Sequence, residues 1–290
     1  MKIILDSDPN LNYETNGAFR NMIDFVFVPV LNNLPKFFQK LIKKTHKSAD
    51  SVIKEAATFK ALEVLYSHGY IYKSKNPLQR LFRGIWFTRN NAKAVRNRLQ
   101  LVKREIKKVA LDVFENTGYI NLLSIASGSA RAVIESFIRT EMPNDASIFL
   151  SFLDKSPVAL EYSKELAKVL PENFNIRWIE DTASNFPNYF INKKPNIIEM
   201  VGLLDYFDDE KVEKIFKVIY ENLENGGTFI TANIVDNKER KFVTNIIGWK
   251  MIYRKPETIF KLASKAGFKD ENITIYYEPF KIHFVMVVKK

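Results

Sequence analysis

From residue 119 onward the chain alternates short apolar runs with helical patterns, and this alternation constrains the fold more than any other feature. Strands are expected at 119–126, 147–153, 175–179, 196–201 and 228–233. Between them lie helix patterns at 130–139, 157–170, 186–191 and 209–223. Ser156 followed by Pro157 reads as a cap and a first-turn proline, and Gly226-Gly227 as a helix end turning into a strand. Strands joined by helices imply a parallel sheet covered on both faces, because the crossovers are right-handed. The tail differs. Helices are expected at 238–253 and 257–266, then two apolar runs, 273–278 and 281–288, joined by a turn at Pro279. Strands that close must pair antiparallel. The expected fold is therefore α/β, a doubly wound, seven-stranded mixed sheet.

The first 118 residues have a different texture. Leu34, Phe37, Phe38, Leu41 and Ile42 recur at helical steps between lysines, and Val95, Leu99, Val102, Ile106, Val109 and Val113 form a stripe on one helix face. Asn116 to Gly118 supplies a stop. The division expected is a helical lid or substrate region over 1–118 and a cofactor-binding domain over 119–290. Charge follows the same division. Residues 1–120 hold 21 Lys+Arg and 10 Asp+Glu, so the whole net charge of +11 sits there, and the remainder is neutral.

Composition closes other routes. With no Cys, there is no disulfide framework, thiolate nucleophile or Cys-ligated zinc. The three histidines, His46, His68 and His283, are dispersed, and each is expected to be structural or solvated. No run approaches the roughly 20 apolar residues of a membrane span. Met1 to Asn10 carry Asp6 and Asp8 rather than a basic leader. A cytoplasmic protein is expected.

In doubly wound sheets, ligands bind beyond the carboxyl ends of the strands, where the strand order reverses. The first strand of the alternation runs into Ser124-Ile125-Ala126-Ser127-Gly128-Ser129-Ala130-Arg131, whose small residues let backbone approach a ligand. The following helix points its N–H groups into the same crevice. The second strand ends at Asp154-Lys155, where an acid can accept from both ribose hydroxyls. The third ends at Asp181-Thr182, where a side chain can face a base. Each element has a plain alternative: a tight turn, a helix cap, a loop acid. Their conjunction points to a nucleoside-bearing cofactor.

Residues 119–290 resemble a class I S-adenosylmethionine-dependent methyltransferase. In that family the first loop reads acidic-x-G-x-G-x-G, the next strand ends in a ribose-binding acid, and an Asp after the third contacts adenine. The matching positions are Ser124 for the first acid, Ala126, Gly128 and Ala130 for the glycines, Asp154 and Asp181. The resemblance implies S-adenosyl-L-methionine as cofactor, held by these residues with Ser127, Arg131, Lys155, Thr182, Val201 and Gly202. The two alanines are tolerable where φ stays negative. Ser124 in place of an acid leaves the methionyl ammonium to another partner, such as the carbonyls of Ala126 or Val201. The segments Ser124–Arg131, Val201–Phe207 and Ile246–Arg254, with Asn233, further resemble a bacterial subgroup with a helical N-terminal extension, some linked to methyl esters of 3-hydroxy fatty acids.

The acceptor is expected beside the loop after the fourth strand of the alternation. Tyr206 there can hydrogen-bond an acceptor oxygen, or pack with its hydroxyl at the surface. Asp205 can cap the next helix. Asn233 is expected to face the same crevice. Trp249 and Tyr253 would share a helix face, and Arg254 would clamp a carboxylate or form a surface ion pair. Tyr206, Tyr253 and Arg254 are thus the catalytic candidates. Arg131 can hold an anion or stand solvated. Arg83, Trp86, Phe87, Arg89 and Asn90 form an aromatic-basic cluster suited to an acceptor pocket.

The leading function is methyl transfer to a small-molecule or fatty-acid-like acceptor, with a carboxylate oxygen needing no general base. A second is RNA methylation, with the basic run from Arg96 to Lys108 as the binding face. A third is a non-catalytic cofactor-binding domain that uses the basic helix at 34–47 on a membrane or partner. No metal is expected, and the oligomeric state is open.

Overall fold

The computed structural model describes residues 1–33, 59–66, 87–138 and 146–290. The helix expected at 34–47, and Arg83, Trp86, His46 and His68, lie outside the described residues.

The seven expected strands are present: β2 (Tyr119–Ile125), β3 (Ser147–Asp154), β4 (Asn175–Glu180), β5 (Ile197–Met200), β6 (Thr228–Ile234), β7 (Ile273–Tyr277) and β8 (His283–Lys289). An eighth, β1 (Lys2–Leu5), joins them as a parallel edge strand beside β7. Its four residues are too few for a periodic pattern, and Ile3 and Leu5 stay exposed. The order is β1-β7-β8-β6-β5-β2-β3-β4. Strands β2 to β6 run parallel, and β8 is antiparallel to both β6 and β7. The direction of winding reverses between β2 and β5, so the crevice opens beyond Ile125 and Met200.

Among the described residues, seven further helices complete the layers, with α1 (Ala18–Asn32) above them: α2 (Phe59–Tyr66), α3 (Asn90–Thr117), α4 (Arg131–Phe137), α5 (Pro157–Ala167), α6 (Asp209–Asn222), the single turn α7 (Arg240–Phe242) and α8 (Pro256–Lys265). The caps follow sequence chemistry. The Ser156 hydroxyl accepts from Ala159 N at 3.3 Å with Pro157 in the first turn, and Asp208 accepts from Lys211 N at 2.9 Å. Gly118 ends α3 at φ +73°, a conformation that costs glycine little. The pattern at 186–191 is a 3-10 helix displaced to Ala183–Tyr189.

Because both faces of the sheet are covered, adjacent residues of β2 pack in opposite directions. Leu123 and Ile125 join Met200, Phe216, Phe229 and Phe268 under α6 and α8. Ile120 and Leu122 join Phe152, Val133, Ile106 and Leu101 under α3, α4 and α5. Helix α3 spans 28 residues, about 42 Å at 1.5 Å per residue. Its second half packs on the sheet, while Ala92 and Val95 in its first turns join Leu31, Leu65, Phe242, Ile246 and Trp249 in a cluster above the crevice. Residues before 118 thus share a sheet and a core with those after it, and also roof the crevice.

Candidate functional site

A cavity of about 940 Å³ lies between the carboxyl ends of the strands and this roof. Its floor includes Ala126, Ser127, Gly128, Ala130, Arg131, Asp154, Lys155, Asp181, Thr182, Val201 and Gly202, eleven of the twelve residues expected to bind the cofactor. Ser124, the twelfth, is buried beneath it.

The loop after β2 is held by bonds that fix its shape. Ser127 N donates to Leu153 O at 3.0 Å, and Ala130 N to Ser127 O at 2.7 Å. Gly128 N donates to Asp154 Oδ2 at 2.8 Å, and Ser156 N to Asp154 Oδ1 at 2.9 Å, so the β3 carboxylate is fixed at the rim. Ala126 and Ala130 both lie at φ +53°. The expectation of negative φ at these alanines is therefore corrected: the loop keeps a glycine-like backbone, with side chains that disfavour it. At Gly128 (φ +56°), a Cβ would stand 3.0 Å from the Phe59 Cβ of α2, so the roof closes directly onto the loop. Ser127 Oγ is buried in the cavity wall with no hydrogen-bond partner among the described residues. Asp181 accepts from Thr182 N, Asn185 Nδ2 and Tyr189 Oη at 2.6–2.8 Å, and these bonds, led by the backbone one, lower its pKa.

A buried acid stands beside Ser124 on the neighbouring strand. Ser124 pairs in register with Glu199 of β5, and its hydroxyl donates to Glu199 Oε2 at 2.5 Å. Glu199 is buried and lines the cavity. Burial pushes its pKa up to about 7, against the lowering effect of the Ser124 and Val201 hydrogen bonds. Sequence reasoning missed it because it stands inside the apolar run Ile197–Met200. A charge within an otherwise buried strand was the available signal.

The acceptor candidates divide. Tyr206 lines the cavity, and Trp249 Nε1 donates to its hydroxyl at 2.6 Å. Burial raises the Tyr206 pKa, so the phenol keeps its proton. Tyr253 and Arg254 do not line the cavity. The helix expected at 238–253 is instead the turn α7, a π-helical turn Val243–Ile247 and an exit at Gly248 (φ +80°). Trp249 and Tyr253 therefore share no helix face. Arg240 stacks over the Tyr253 ring at 4.6 Å. Arg254 is buried and committed: it donates to Asp209 Oδ1 (2.7 Å), Leu204 O (2.9 Å), Asn233 Oδ1 (3.1 Å) and Phe207 O. It is a brace for the loop after β5 and has no edge left for a ligand. Asn233 likewise points into this brace, donating to Asp205 Oδ1 at 2.8 Å. The cap of α6 is Asp208, not Asp205.

Arg131 is also engaged. It meets Glu63 of α2 at 2.5–3.2 Å and Glu135 at 2.7 Å, and Tyr162 Oη adds a bond to Glu63 at 3.0 Å. This latch ties the roof helix to the floor. Of the aromatic-basic cluster, Arg89 is buried against Asp24 at 3.0 Å, and Asn90 accepts from Asn16 Nδ2 at 2.8 Å. Phe87 is buried, and none of the three lines the cavity.

The basic run on α3 is largely consumed inside the molecule. Arg96 pairs with Glu14, Lys103 with Glu135 at 2.7 Å, and Arg104 with Asp6 and Glu105, while Arg98 is buried. Among the described residues no helix is long and apolar enough to cross a membrane, and no cluster of His, Asp and Glu could hold a metal ion.

Residues 60–290 match the model of a family described as "Putative methyltransferase". The chain belongs to this methyltransferase family. No curated protein sequence matches it significantly. Among solved structures, a "possible exported protein" from Bordetella parapertussis superposes with a TM-score of 0.63 at 15% identity, over 80% of this chain and 79% of that one. Magnesium protoporphyrin IX methyltransferase from Synechocystis, solved with bound SAH, gives 0.52 at 12% identity, over 80% and 98%. The S-adenosylmethionine-dependent methyltransferase SibL gives 0.50 at 14%, over 95% and 78%. These likenesses establish that the methyltransferase shares the class I fold.

Proposed function

We propose that this methyltransferase moves a methyl group from S-adenosylmethionine to an oxygen of a small apolar acceptor, most concretely the carboxylate of a fatty-acid-like molecule. The observation that carries the reading is the cavity itself: three carboxylates, Glu199, Asp154 and Asp181, line one floor under an apolar roof. The residues fit the cofactor. Glu199 is a buried acid for the methionyl ammonium, and the unpartnered Ser127 Oγ can donate to the methionyl carboxylate. Asp154 would accept from the ribose hydroxyls, and Asp181 with Thr182 would face the adenine edge.

The cofactor, when bound, supplies an electrophilic methyl group on a positively charged sulfur. The chain's part is alignment and exclusion of water, which together can supply much of the acceleration. An acceptor carboxylate is anionic at neutral pH. Its oxygen would accept that methyl group with no proton to lose, so the chain needs no general base. Tyr206, protonated and already accepting from Trp249, has its own O–H to orient an acceptor oxygen. Leu62, Leu65, Val95, Leu99, Val243 and Met251 offer the acceptor's body an apolar wall. A cytoplasmic setting belongs to the same proposal, and a chain without cysteine agrees with it. The ion-paired basic run on α3 lends RNA methylation no support.

Incubation with methyl-labelled S-adenosylmethionine and a bacterial extract tests this. The expected label enters organic-soluble material and is released as volatile methanol in base, as from a methyl ester. Base-stable label in RNA, or no transfer, overturns it.

A further inference from the structure

The mechanism above leaves two buried polar groups in the cavity wall unused. Arg98, on the first half of α3, is 3% exposed, and His283, the first residue of β8, is 2% exposed. Both line the cavity. Among the described residues, Arg98 Nε and both ring nitrogens of His283 have no hydrogen-bond partner. A buried donor left unpaired costs about 1–3 kcal/mol. Two elements that each place such donors on one cavity, where apolar side chains would pack at no such cost, point to something that enters the cavity and bonds them.

Their surroundings say what that is. His283 pairs with Ile234 across the end of β6, so it stands on the same crevice edge as the other site residues. Burial and the neighbouring Arg98 charge both lower its pKa well below the ordinary value, so the ring is neutral and keeps one N–H to donate. Arg98 Nη1 lies 4.0 Å from Asp205 Oδ2, beyond hydrogen-bond range, and Asp205 Oδ1 is already taken by Asn233 Nδ2 and Ile234 N. Burial raises the pKa of the Tyr66 hydroxyl in the roof, and the neighbouring Arg98 charge lowers it. The result is a cationic N–H and a neutral N–H on one cavity, beside the loop that carries Tyr206. A guanidinium bound to a carboxylate is among the stronger hydrogen-bonded pairs. The wall beyond, with Leu65, Val95, Leu99, Trp249 and Met251, is apolar.

We propose that Arg98 and His283 form a carboxylate-binding subsite for the acceptor, which selects an apolar carboxylic acid over its neutral analogues. The inference rests on the carboxylate-methylation reading above and names the residues that would enforce it. One acceptor oxygen sits on Arg98 Nε and the His283 N–H, leaving the other free toward the methyl group.

The test is calorimetric titration of the protein saturated with S-adenosylhomocysteine. Octanoate, dodecanoate and 2-naphthoate are compared with the corresponding primary amides. At least one carboxylate is expected to bind more tightly than its amide. Arg98→Gln is expected to weaken that carboxylate about 10- to 100-fold while leaving the amide unchanged. His283→Leu is expected to lower it less, and His283→Gln, which keeps an N–H, to restore part of it. S-adenosylhomocysteine affinity, measured first on each variant, reports whether it has folded. Arg98→Lys serves as the charge-conserving replacement if the glutamine variant fails that control. Carboxylates and amides binding alike, Arg98 variants binding carboxylates like wild type, or no carboxylate binding overturns the subsite. Failure of wild type to bind S-adenosylhomocysteine overturns the methyl-transfer reading instead.

Discussion

Among single residues, Glu199 matters most to how the cofactor would be held. The folded pKa of about 7 lies above the ordinary carboxylate value. Between the two values the folded protein binds more protons than the unfolded chain, so Glu199 costs stability increasingly as pH rises through this window. Glu199→Gln is therefore expected to raise the melting temperature at pH 8, by an amount reflecting up to about 3 kcal/mol. The same variant should lose affinity for S-adenosylhomocysteine yet bind 5′-methylthioadenosine, which lacks the amino-acid arm, as wild type does. Equal loss for both ligands would contradict the assignment. Ala126 and Ala130 allow a second prediction. A left-handed alanine costs roughly 1–2 kcal/mol and glycine's extra entropy roughly 0.5–1. Ala126→Gly should thus be neutral or stabilising by up to about 1.5 kcal/mol in thermal unfolding, where an alanine-to-glycine change elsewhere destabilises. Gly128, Asp154 and Asp181 were legible because each stands at a strand end next to turn chemistry. Glu199, Arg98 and His283 were not. Their roles depend on which strand neighbours which and on what a helix faces, and that information is not local.

At the scale of elements, two connections hold the site. The Glu63–Arg131–Glu135 latch joins roof helix α2 to α4. Glu63→Gln removes one partner of the ion pair, a loss of about 1 kcal/mol. It should speed dissociation of S-adenosylhomocysteine roughly fivefold in stopped flow, with the thermal midpoint little changed. An unaltered off-rate would show that the latch does not restrain the ligand. The brace around Arg254 is more demanding. The arginine satisfies two backbone carbonyls and two side chains while almost wholly buried. Arg254→Met strands those partners and should destabilise by about 3–5 kcal/mol, seen as an earlier unfolding midpoint. A surface ion pair would lose under 1 kcal/mol. The strand–helix alternation was readable because each element buries a face of its own period. The stretch 238–253 was not: its apolar residues keep helical spacing, but Gly248 turns the chain out and Pro256 starts a new helix.

At the scale of the molecule, the excess charge takes on a different meaning. Much of the basic charge of the N-terminal part is paired inside the molecule: Arg96 with Glu14 and Arg104 with Asp6 within that part, and Lys103 with Glu135 across to the rest. Sequence showed where the charge lies but not that its partners lie tens of residues away. Helix α3 also supplies Leu101, Ile106 and Ala110 to the sheet core. A fragment beginning at residue 119 is accordingly expected to lose cooperative unfolding, even though the strand pattern begins there. Methyl transfer in this cavity requires a nucleoside cofactor seated on an acid that must ionise to receive it. Titration of the intact protein with S-adenosylhomocysteine at pH 6, in buffers of different ionisation enthalpy, measures both at once. The account predicts one site and release of close to one proton, shrinking towards none at pH 8.5. No binding at millimolar ligand, or binding with no proton released at pH 6, would contradict it.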